Sequence, residues 1–429
     1  MRVFVKSFGC STNLGDGEVL AGCLKQAGHM LVDSLEEAEL VVYNTCAVKG
    51  PTEDRVIEAL RRIPSRKKII VAGCLPMINR ERLQTEVRFE GIVGPAAGGR
   101  IVEAAERVAD GEKAVFLSRA IEALPSLALP RIRLNPTVSI VPISYGCLGS
   151  CAYCCVTLAR GRLRSYKPKE IIRRAEEDIA SGAKEVWLTS EDVACYGRDI
   201  GSNLPNLLSE LCKIDADFMI RVGMMTPNMA TDIQDDLLKV FEDRHVYKFV
   251  HLPVQSGDNQ VLKRMNRKYT ADDFRSIVSS FKNSFSEITL STDVICGFPG
   301  EREKDFDRTL KLVEEVKPDI VNVSKFFTRP GTAACQLRSE AVGPQAIKQR
   351  SAKAAFLAKR LAYENNACWI GWQGQVTVDE KGKVPGSWIA RNFAYKPVVV
   401  RDSSNLLGRT FAVRVTGACP TYLEGTAVG

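Results

Sequence analysis

Three cysteines spaced C-x3-C-x2-C in the stretch Gly146-Cys147-Leu148-Gly149-Ser150-Cys151-Ala152-Tyr153-Cys154 constrain this chain more than any other feature. They follow an apolar run, 138–143, that reads as a strand, so the thiols are carried on a short loop at a strand end. Three thiolates can hold three irons of a [4Fe-4S] cluster and leave the fourth without a protein ligand. Clusters held by four cysteines carry electrons, whereas an open iron can bind a substrate or cofactor. Zinc is the alternative, but a zinc site usually takes four ligands in paired C-x2-C units. Cys155 is adjacent in sequence; it has to point away from its neighbour and reads as a small buried residue.

The bulk of the chain narrows the context. A length of 429 residues exceeds what one core usually organises and predicts two or three domains. No apolar run reaches the roughly 20 residues that span a bilayer, and the opening residues read as a strand, not a signal peptide, so a cytoplasmic protein with no membrane partner is expected. Fourteen cysteines in such a setting point to reduced thiols and metal ligation, not to disulfides. The balance of 59 basic to 51 acidic residues gives +8, compatible with a nucleic-acid partner.

From residue 1 the pattern alternates strand and helix. Strands are expected at 2–8, 40–43, 68–72 and 91–93 and helices at 15–27, 52–63, 78–84 and 99–110, which is the signature of a doubly wound parallel sheet. Cys10, Cys46 and Cys74 each lie just past a strand end. Those ends share one edge of an open parallel sheet, the edge where such folds bind ligands, so three thiols distant in sequence are expected to converge on a second cluster. Cys23 falls mid-helix and takes no such part; Cys195, Cys212, Cys296, Cys335, Cys368 and Cys419 read as small buried residues.

A proline-punctuated linker, 121–136, separates this domain (1–120) from the next (137–366). Six strand candidates, at 138–144, 185–189, 218–224, 248–254, 288–296 and 320–326, alternate with helices and read as an incomplete (β/α)6 barrel whose site lies on the C-terminal face. The cysteine loop follows the first of these strands. Glu191 and Asp192, Gln255, and Asp293 recur at later strand ends; each can cap a helix or a turn, and together they form a candidate rim for a cofactor. The basic stretch 159–167, with Arg160, Arg162 and Arg164, lies beside that edge; such runs are commonly a solvated face, and its position places some of these arginines to meet phosphates or a cofactor carboxylate. After residue 366 the pattern turns all-β, with short strands expected at 374–379, 388–391, 396–401 and 410–416. Such a segment closes most readily as a small barrel, an architecture often used for single-stranded RNA. Arg391, Asn392, Tyr395 and Lys396 are the candidate RNA contacts in this last domain, 367–429.

The motifs Gly9-Cys10 with Asn13, Asn44-Thr45-Cys46, Ala72-Gly73-Cys74, Cys147/Cys151/Cys154, Pro253-Val254-Gln255-Ser256-Gly257 and Gly297-Phe298-Pro299-Gly300-Glu301 resemble the methylthiotransferases of the radical S-adenosylmethionine (SAM) superfamily. The resemblance covers nearly the whole chain and implies an N-terminal cluster domain, a radical SAM partial barrel and a C-terminal TRAM domain. The stretches 159–166 and 189–201 resemble the archaeal and eukaryotic branch, which acts on N6-threonylcarbamoyladenosine at position 37 of tRNA, in the anticodon loop. Asp192-Val193-Ala194-Cys195-Tyr196 departs from that branch's more usual Asp-Thr-Gly-Ala-Tyr. No counterpart of the eukaryotic hydrophobic C-terminal anchor is matched, so the archaeal type is expected.

What the resemblance implies is a cluster on Cys147, Cys151 and Cys154 that binds SAM, with Tyr153, Glu191, Asp192, Gln255 and Asp293 toward the cofactor. It also implies a second [4Fe-4S] cluster on Cys10, Cys46 and Cys74 that holds the transferred sulfur. Reductive SAM cleavage supplies a radical, and a methylthio group is placed on C2 of the adenine; an electron donor such as a flavodoxin or ferredoxin and a sulfur donor are then partners. A methylthiotransferase acting on a ribosomal-protein aspartate or another modified adenosine would share both triads. A non-catalytic iron-sulfur RNA-binding protein would leave the barrel's polar rim without a use.

Overall fold

The computed structural model describes residues 1–47, 50–117 and 124–428. The expected domain boundary at 120/121, the first linker residues (121–123) and Gly429 lie outside the described residues.

The N-terminal unit is a six-stranded parallel sheet. Its spatial order is Met30–Leu31, Arg2–Ser7, Leu40–Thr45, Lys68–Gly73, Gly91–Val93, Ala114–Phe116. Alternate residues of Leu40–Thr45 feed opposite faces. Val41 and Tyr43 pack with Val56, Ile57 and Leu60 of the helix Gly50–Arg61; Leu40 and Val42 pack with Leu20 and Leu24 of the helix Ser11–Gln26 and with Ile101 and Val108 of Arg100–Ala109. The expected doubly wound sheet is therefore present. Its strand order reverses between Arg2–Ser7 and Leu40–Thr45, which opens a crevice between their C-terminal ends.

The expected helix at 78–84 is two short ones, Leu75–Ile78 and Arg80–Glu86, broken at Asn79. Residues 124–136 run as a strap: Leu127 is buried in the next domain's core, the Ile132 amide donates to Glu18 O, and the Leu134 amide to Glu18 Oε1 at 3.0 Å.

The central unit carries all six expected strands: Val138–Pro142, Glu185–Thr189, Met219–Val222, Phe249–His251, Thr289–Cys296 and Ile320–Lys325. They form two three-stranded parallel sheets joined by single bridges at Ile220↔Val246 and Met224↔His251, giving an open partial barrel. One face of the strands is aliphatic, with Val186, Leu188, Ile220, Val222, Leu290 and Val294 in the core shared with helices such as Pro168–Ala180, Leu204–Leu211 and Ala271–Ser284, while alternate residues such as Ser139, Glu185, Thr189 and Ser291 are polar. Among the described residues no helix is long and apolar enough to cross a membrane.

The helix Pro344–Ala367 packs along Ile320–Lys325 and leads into a closed five-stranded barrel. Four of its strands match the expected ones. The fifth, Tyr422–Ala427, was not anticipated: it pairs back on Thr410–Cys419 through a turn at Pro420-Thr421 and has few β-branched residues to announce it. This barrel sits against the N-terminal ends of the central strands, where the Lys248 amide donates to Phe393 O at 2.8 Å.

That docking corrects the RNA assignments made for Arg391, Asn392, Tyr395 and Lys396. Tyr395 packs against Trp187, Tyr247 and Phe249. Arg391 pairs with Asp379 at 2.8 Å and stacks on Tyr395. Lys396 donates to Asp319 Oδ1 at 2.6 Å and Asn366 Oδ1 at 2.8 Å. Asn392 Oδ1 accepts from the Ala394 and Lys396 amides. All four are spent on the seam and the turn that forms it, so as placed they are closed to a nucleic acid.

Candidate active site

The strand-end cysteines meet because the backbone around each is pinned. Asn13 Nδ2 donates to Phe8 O at 2.6 Å and to Asn44 O at 3.2 Å, and Asn44 Nδ2 returns a bond to Asn13 O at 2.6 Å. This exchange closes the crevice at the strand-order reversal and sets Cys10, the residue before the helix Ser11–Gln26, beside Cys46. Thr45 Oγ1 donates to Ala72 O and the Cys74 amide to Thr45 O, which brings the third strand end alongside. Gly9 (φ +111°) and Gly73 (φ +92°) make the turns; a Cβ on Gly9 would overlap Cys46 Cβ and lie 2.8 Å from its Sγ. Burial raises the Cys74 thiol to about 12, against the pull of Arg160, with Cys46 and Cys10 adding to the rise. Burial likewise raises Cys10.

The second triad wraps around Gly149, whose Cα faces the Cys147 and Cys151 sulfurs. The Gly149 amide donates to Cys147 Sγ at 3.1 Å, the Val156 amide to Cys154 Sγ at 3.4 Å and Arg267 Nη1 to Cys151 Sγ at 3.0 Å. The Cys154 thiol is raised by burial and then by Cys151, Cys155 and Cys147. Cys155 turns the other way, its Sγ 3.6 Å from Ala47 O in the N-terminal core.

Between the triads lies a buried ionic group. Arg160 bonds Asp16 Oδ2 at 2.7 Å and Glu191 Oε1 at 3.1 Å and stacks over Tyr145, whose hydroxyl donates to Asp16 Oδ1. Thr189 Oγ1, at the end of a barrel strand, lies 2.9 Å from both Ser11 Oγ and Thr12 Oγ1, next to Cys10. The Glu191 carboxyl acts electrostatically on Cys10 of one triad and on Cys147 of the other. Burial pushes Glu191 up to about 7, with Arg160 opposing.

Arg160, expected at phosphate, is instead this internal clamp. Arg164, half-buried, donates to Arg160 O at 3.2 Å; Arg162 is exposed. Asp192 caps the turn after it, accepting from the Ala194 and Thr226 amides and from the Cys195 thiol. Asp293 is oriented by His251 Nε2 at 3.1 Å and Asn322 Nδ2 at 2.7 Å. Gln255 holds a left-handed φ of +67° beside it, its amide donating to Asp293 O. Tyr153 packs edge-on against Phe298.

The donors suit iron-sulfur chemistry. Each set offers three thiols, the second with Cys195 beside Cys147, Arg267 supplies positive charge at Cys151, and Arg160 Nη1 and Glu191 Oε2 are buried without a hydrogen-bond partner. Two participants were missed from sequence. Arg267 lies 116 residues from the sulfur it meets, and nothing local marks it. Cys195 rests against Cys147 and holds that thiol below its usual range by hydrogen bonding; its place in a motif that departs from the family pattern was the available signal.

Comparison with known proteins bears on the family and the fold. Residues 141–313 match the model of the radical SAM superfamily, residues 2–94 that of uncharacterized protein family UPF0004, and residues 374–428 that of the TRAM domain. The "Probable threonylcarbamoyladenosine tRNA methylthiotransferase" of Pyrococcus horikoshii is 40% identical over 430 residues, spanning 100% of both chains. The "Threonylcarbamoyladenosine tRNA methylthiotransferase" of Homo sapiens is 35% identical over 435 residues, 100% of this chain and 74% of the human one. Among solved structures, the radical SAM methyltransferase TsrM from Kitasatospora setae, with cobalamin and a [4Fe-4S] cluster bound, superposes with a TM-score of 0.56 at 13% identity, covering 78% of this chain and 76% of that one. At that identity the likeness is one of fold.

Proposed function

The chain belongs to the threonylcarbamoyladenosine tRNA methylthiotransferase family, a radical SAM methylthiotransferase with a TRAM domain, and from that premise we propose how its residues divide the work. The substrate is N6-threonylcarbamoyladenosine in the tRNA anticodon loop, and the product carries a methylthio group at C2 of that base. The observation that carries the reading is a cysteine triad at the strand ends of each of two domains, with those ends joined across the seam by Asp16, Arg160 and Glu191 and by Thr189 with Ser11 and Thr12.

An aromatic C–H at C2 of adenine is beyond any acid or base a protein offers, so [4Fe-4S] clusters and SAM supply the electron and the radical chemistry when bound. Cys147, Cys151 and Cys154 are the ligands for the SAM-binding cluster. Arg267 and the Gly149 and Val156 amides offset charge on their sulfurs. Cys10, Cys46 and Cys74 are the ligands for a second cluster, which holds the sulfur to be transferred. Glu191, raised by burial to about 7, can hold a proton near neutral pH, and its Oε2 is buried without a partner. Asp293, fixed by His251 and Asn322, and Gln255, Asp192 and Tyr153 line the barrel rim where SAM is bound.

The TRAM barrel docks at the opposite end of the strands, about 20 Å away for strands of this length. A substrate that meets both must be a macromolecule. Arg162 and Arg164 lie on the tRNA side of the cysteine edge. A flavodoxin or ferredoxin and a separate sulfur donor complete the cycle, in the cytoplasm where tRNA is modified.

The test is anaerobic reconstitution, counting of iron and sulfide, and reaction with SAM, reductant and tRNA bearing N6-threonylcarbamoyladenosine, with nucleosides read by mass spectrometry. About eight irons per chain are expected, with about four lost from a Cys10/Cys46/Cys74 triple alanine variant, together with the methylthio adduct. SAM cleavage without the adduct would move the substrate elsewhere, the ribosomal-protein aspartate first.

A further inference from the structure

Far from the cysteine triads, Cys212, Asp243 and His245 bring a thiol, a carboxylate and an imidazole together with their ligand atoms all within 4.8 Å of one another. They stand at the N-terminal end of the partial barrel. Cys212 closes the helix Leu204–Leu211, while Asp243 and His245 lie in the loop between the helix Gln234–Val240 and the strand Phe249–His251. We propose that this cluster is a second metal centre of the protein, a divalent transition-metal site suited to Zn²⁺, bound by Cys212 Sγ, an Asp243 carboxylate oxygen and His245 Nδ1 with water in the fourth position.

Four observations support it. The donor set is the mixture of sulfur, nitrogen and oxygen that zinc prefers. His245 is fixed in a position from which it can ligate: Nδ1 lies 2.9 Å from Asp243 Oδ1, Nε2 lies 3.2 Å from Ala216 O, and the ring stacks on Phe218 with centroids 4.9 Å apart. A backbone carbonyl on the remote nitrogen is the usual partner of a metal-bound histidine, because it fixes the tautomer that leaves the other nitrogen's lone pair free. The cluster opens onto a cleft of about 610 Å³ that Asp236, Lys239 and Glu242 also line; Lys239 pairs with Asp236 at 3.1 Å, which leaves Glu242 to add negative charge beside Asp243, and water can reach the fourth position. Cys212 and Asp243 also lie at helix C-terminal ends, whose partial negative charge has the same preference.

The fit requires only small movements. Bond lengths of about 2.3 Å to sulfur and 2.0–2.1 Å to nitrogen and oxygen set tetrahedral edges of roughly 3.3–3.6 Å, between the 2.9 Å and the 4.8 Å limit that the donors now show. The position argues for a structural role. In parallel barrels chemistry occupies the C-terminal face and the N-terminal face serves stability. A metal here ties two helix ends together next to Lys248, which holds Asp243 O through Nζ and Phe393 O through its amide. The ion therefore braces the surface on which the TRAM barrel rests.

The experiment uses the iron-reconstituted full chain, dialysed with ZnSO₄ and then against zinc-free buffer. Metals are counted by elemental mass spectrometry, and the zinc environment is read by X-ray absorption at the zinc edge, which iron does not obscure. About one zinc per chain with a single sulfur neighbour is expected, lost in both Cys212→Ser and His245→Gln while the iron count stays unchanged; zinc should raise the melting temperature of the parent and of neither variant. Cys212→Ser is nearly isosteric and half-exposed, so it reports on the metal even if His245→Gln unfolds the loop. No retained zinc, zinc with three sulfur neighbours, or zinc equally retained by Cys212→Ser would overturn the proposal; the last two results would place the ion in a cluster triad.

Discussion

Gly9 is the residue on which the first triad turns. Its φ of +111° is open to glycine and costly for other residues, and a side chain there would collide with Cys46. Gly9→Ala combines about 1–2 kcal/mol of backbone strain with displacement of a ligand-bearing residue. The variant should retain about four of about eight irons and still cleave SAM, while methylthio transfer is lost; retention of all the iron would show that the triad tolerates the shift. Arg267 acts on the other triad through charge. Its guanidinium beside Cys151 stabilises the reduced, more negative cluster, so Arg267→Met should lower the midpoint potential. A charge-assisted bond of about 1.5–3 kcal/mol corresponds to a shift on the order of 60–130 mV for one electron. Arg267→Lys should recover part of it in a titration followed by electron paramagnetic resonance. The placement of the six cysteines proposed as cluster ligands was legible because spacing marks one triad and strand ends mark the other. Arg267 was not, since its role exists only once the chain returns to the loop from a different turn of the barrel.

At the scale of elements, the segment from Arg160 to Lys167 shows how far a charge run can be read. Three arginines look alike in sequence, yet the turn buries Arg160 against Asp16 and Glu191 and leaves Arg162 exposed. Arg162→Ala should weaken tRNA binding and reduce the slope of log affinity against log salt by about one, with stability unchanged. Arg160→Ala leaves two buried carboxylates without their cation and should cost roughly 3–5 kcal/mol in denaturant unfolding. The TRAM seam makes the same point. An all-β segment with turn signals is readable as a small barrel, but which of its faces docks is decided by what it meets, here Trp187, Tyr247 and Asp319. Lys396→Met strands the Asp319 carboxylate in that seam and should cost about 3–5 kcal/mol. Adding Asp319→Asn should return most of the loss, because the unpaired charge is then gone. Equal costs for the single and double variants would mean that the pair contributes nothing to docking.

For the whole molecule, three domains are joined by seams that hide titratable groups, and these make its stability respond to pH. Glu18 lies under the 124–136 strap and is pushed by burial to about 7 despite Arg131 and Arg133. Glu185 lies under the TRAM barrel and is pushed to about 7 by burial and by Asp379. The alternation of strands and helices gave the three bodies away. The seams did not show, because Glu18 meets Leu134 and Glu185 meets Asp379 only after the domains close. The sign follows from the raised values. Between about pH 4.5 and 7 the native state holds protons that the unfolded chain has released, so stability falls as pH rises through that window and levels off above it. Each group contributes a slope of up to about 1.4 kcal/mol per pH unit. Glu18→Gln is the clean probe: its amide oxygen keeps the bond from the Leu134 amide, while the other carboxylate oxygen, Oε2, had no partner to lose. The parent should melt higher at pH 5.5 than at pH 7.5, and Glu18→Gln should narrow that gap chiefly by gaining stability at pH 7.5. An unchanged gap would mean that Glu18 titrates in the native state as it does in the unfolded chain, and that the strap seam opens to water at neutral pH.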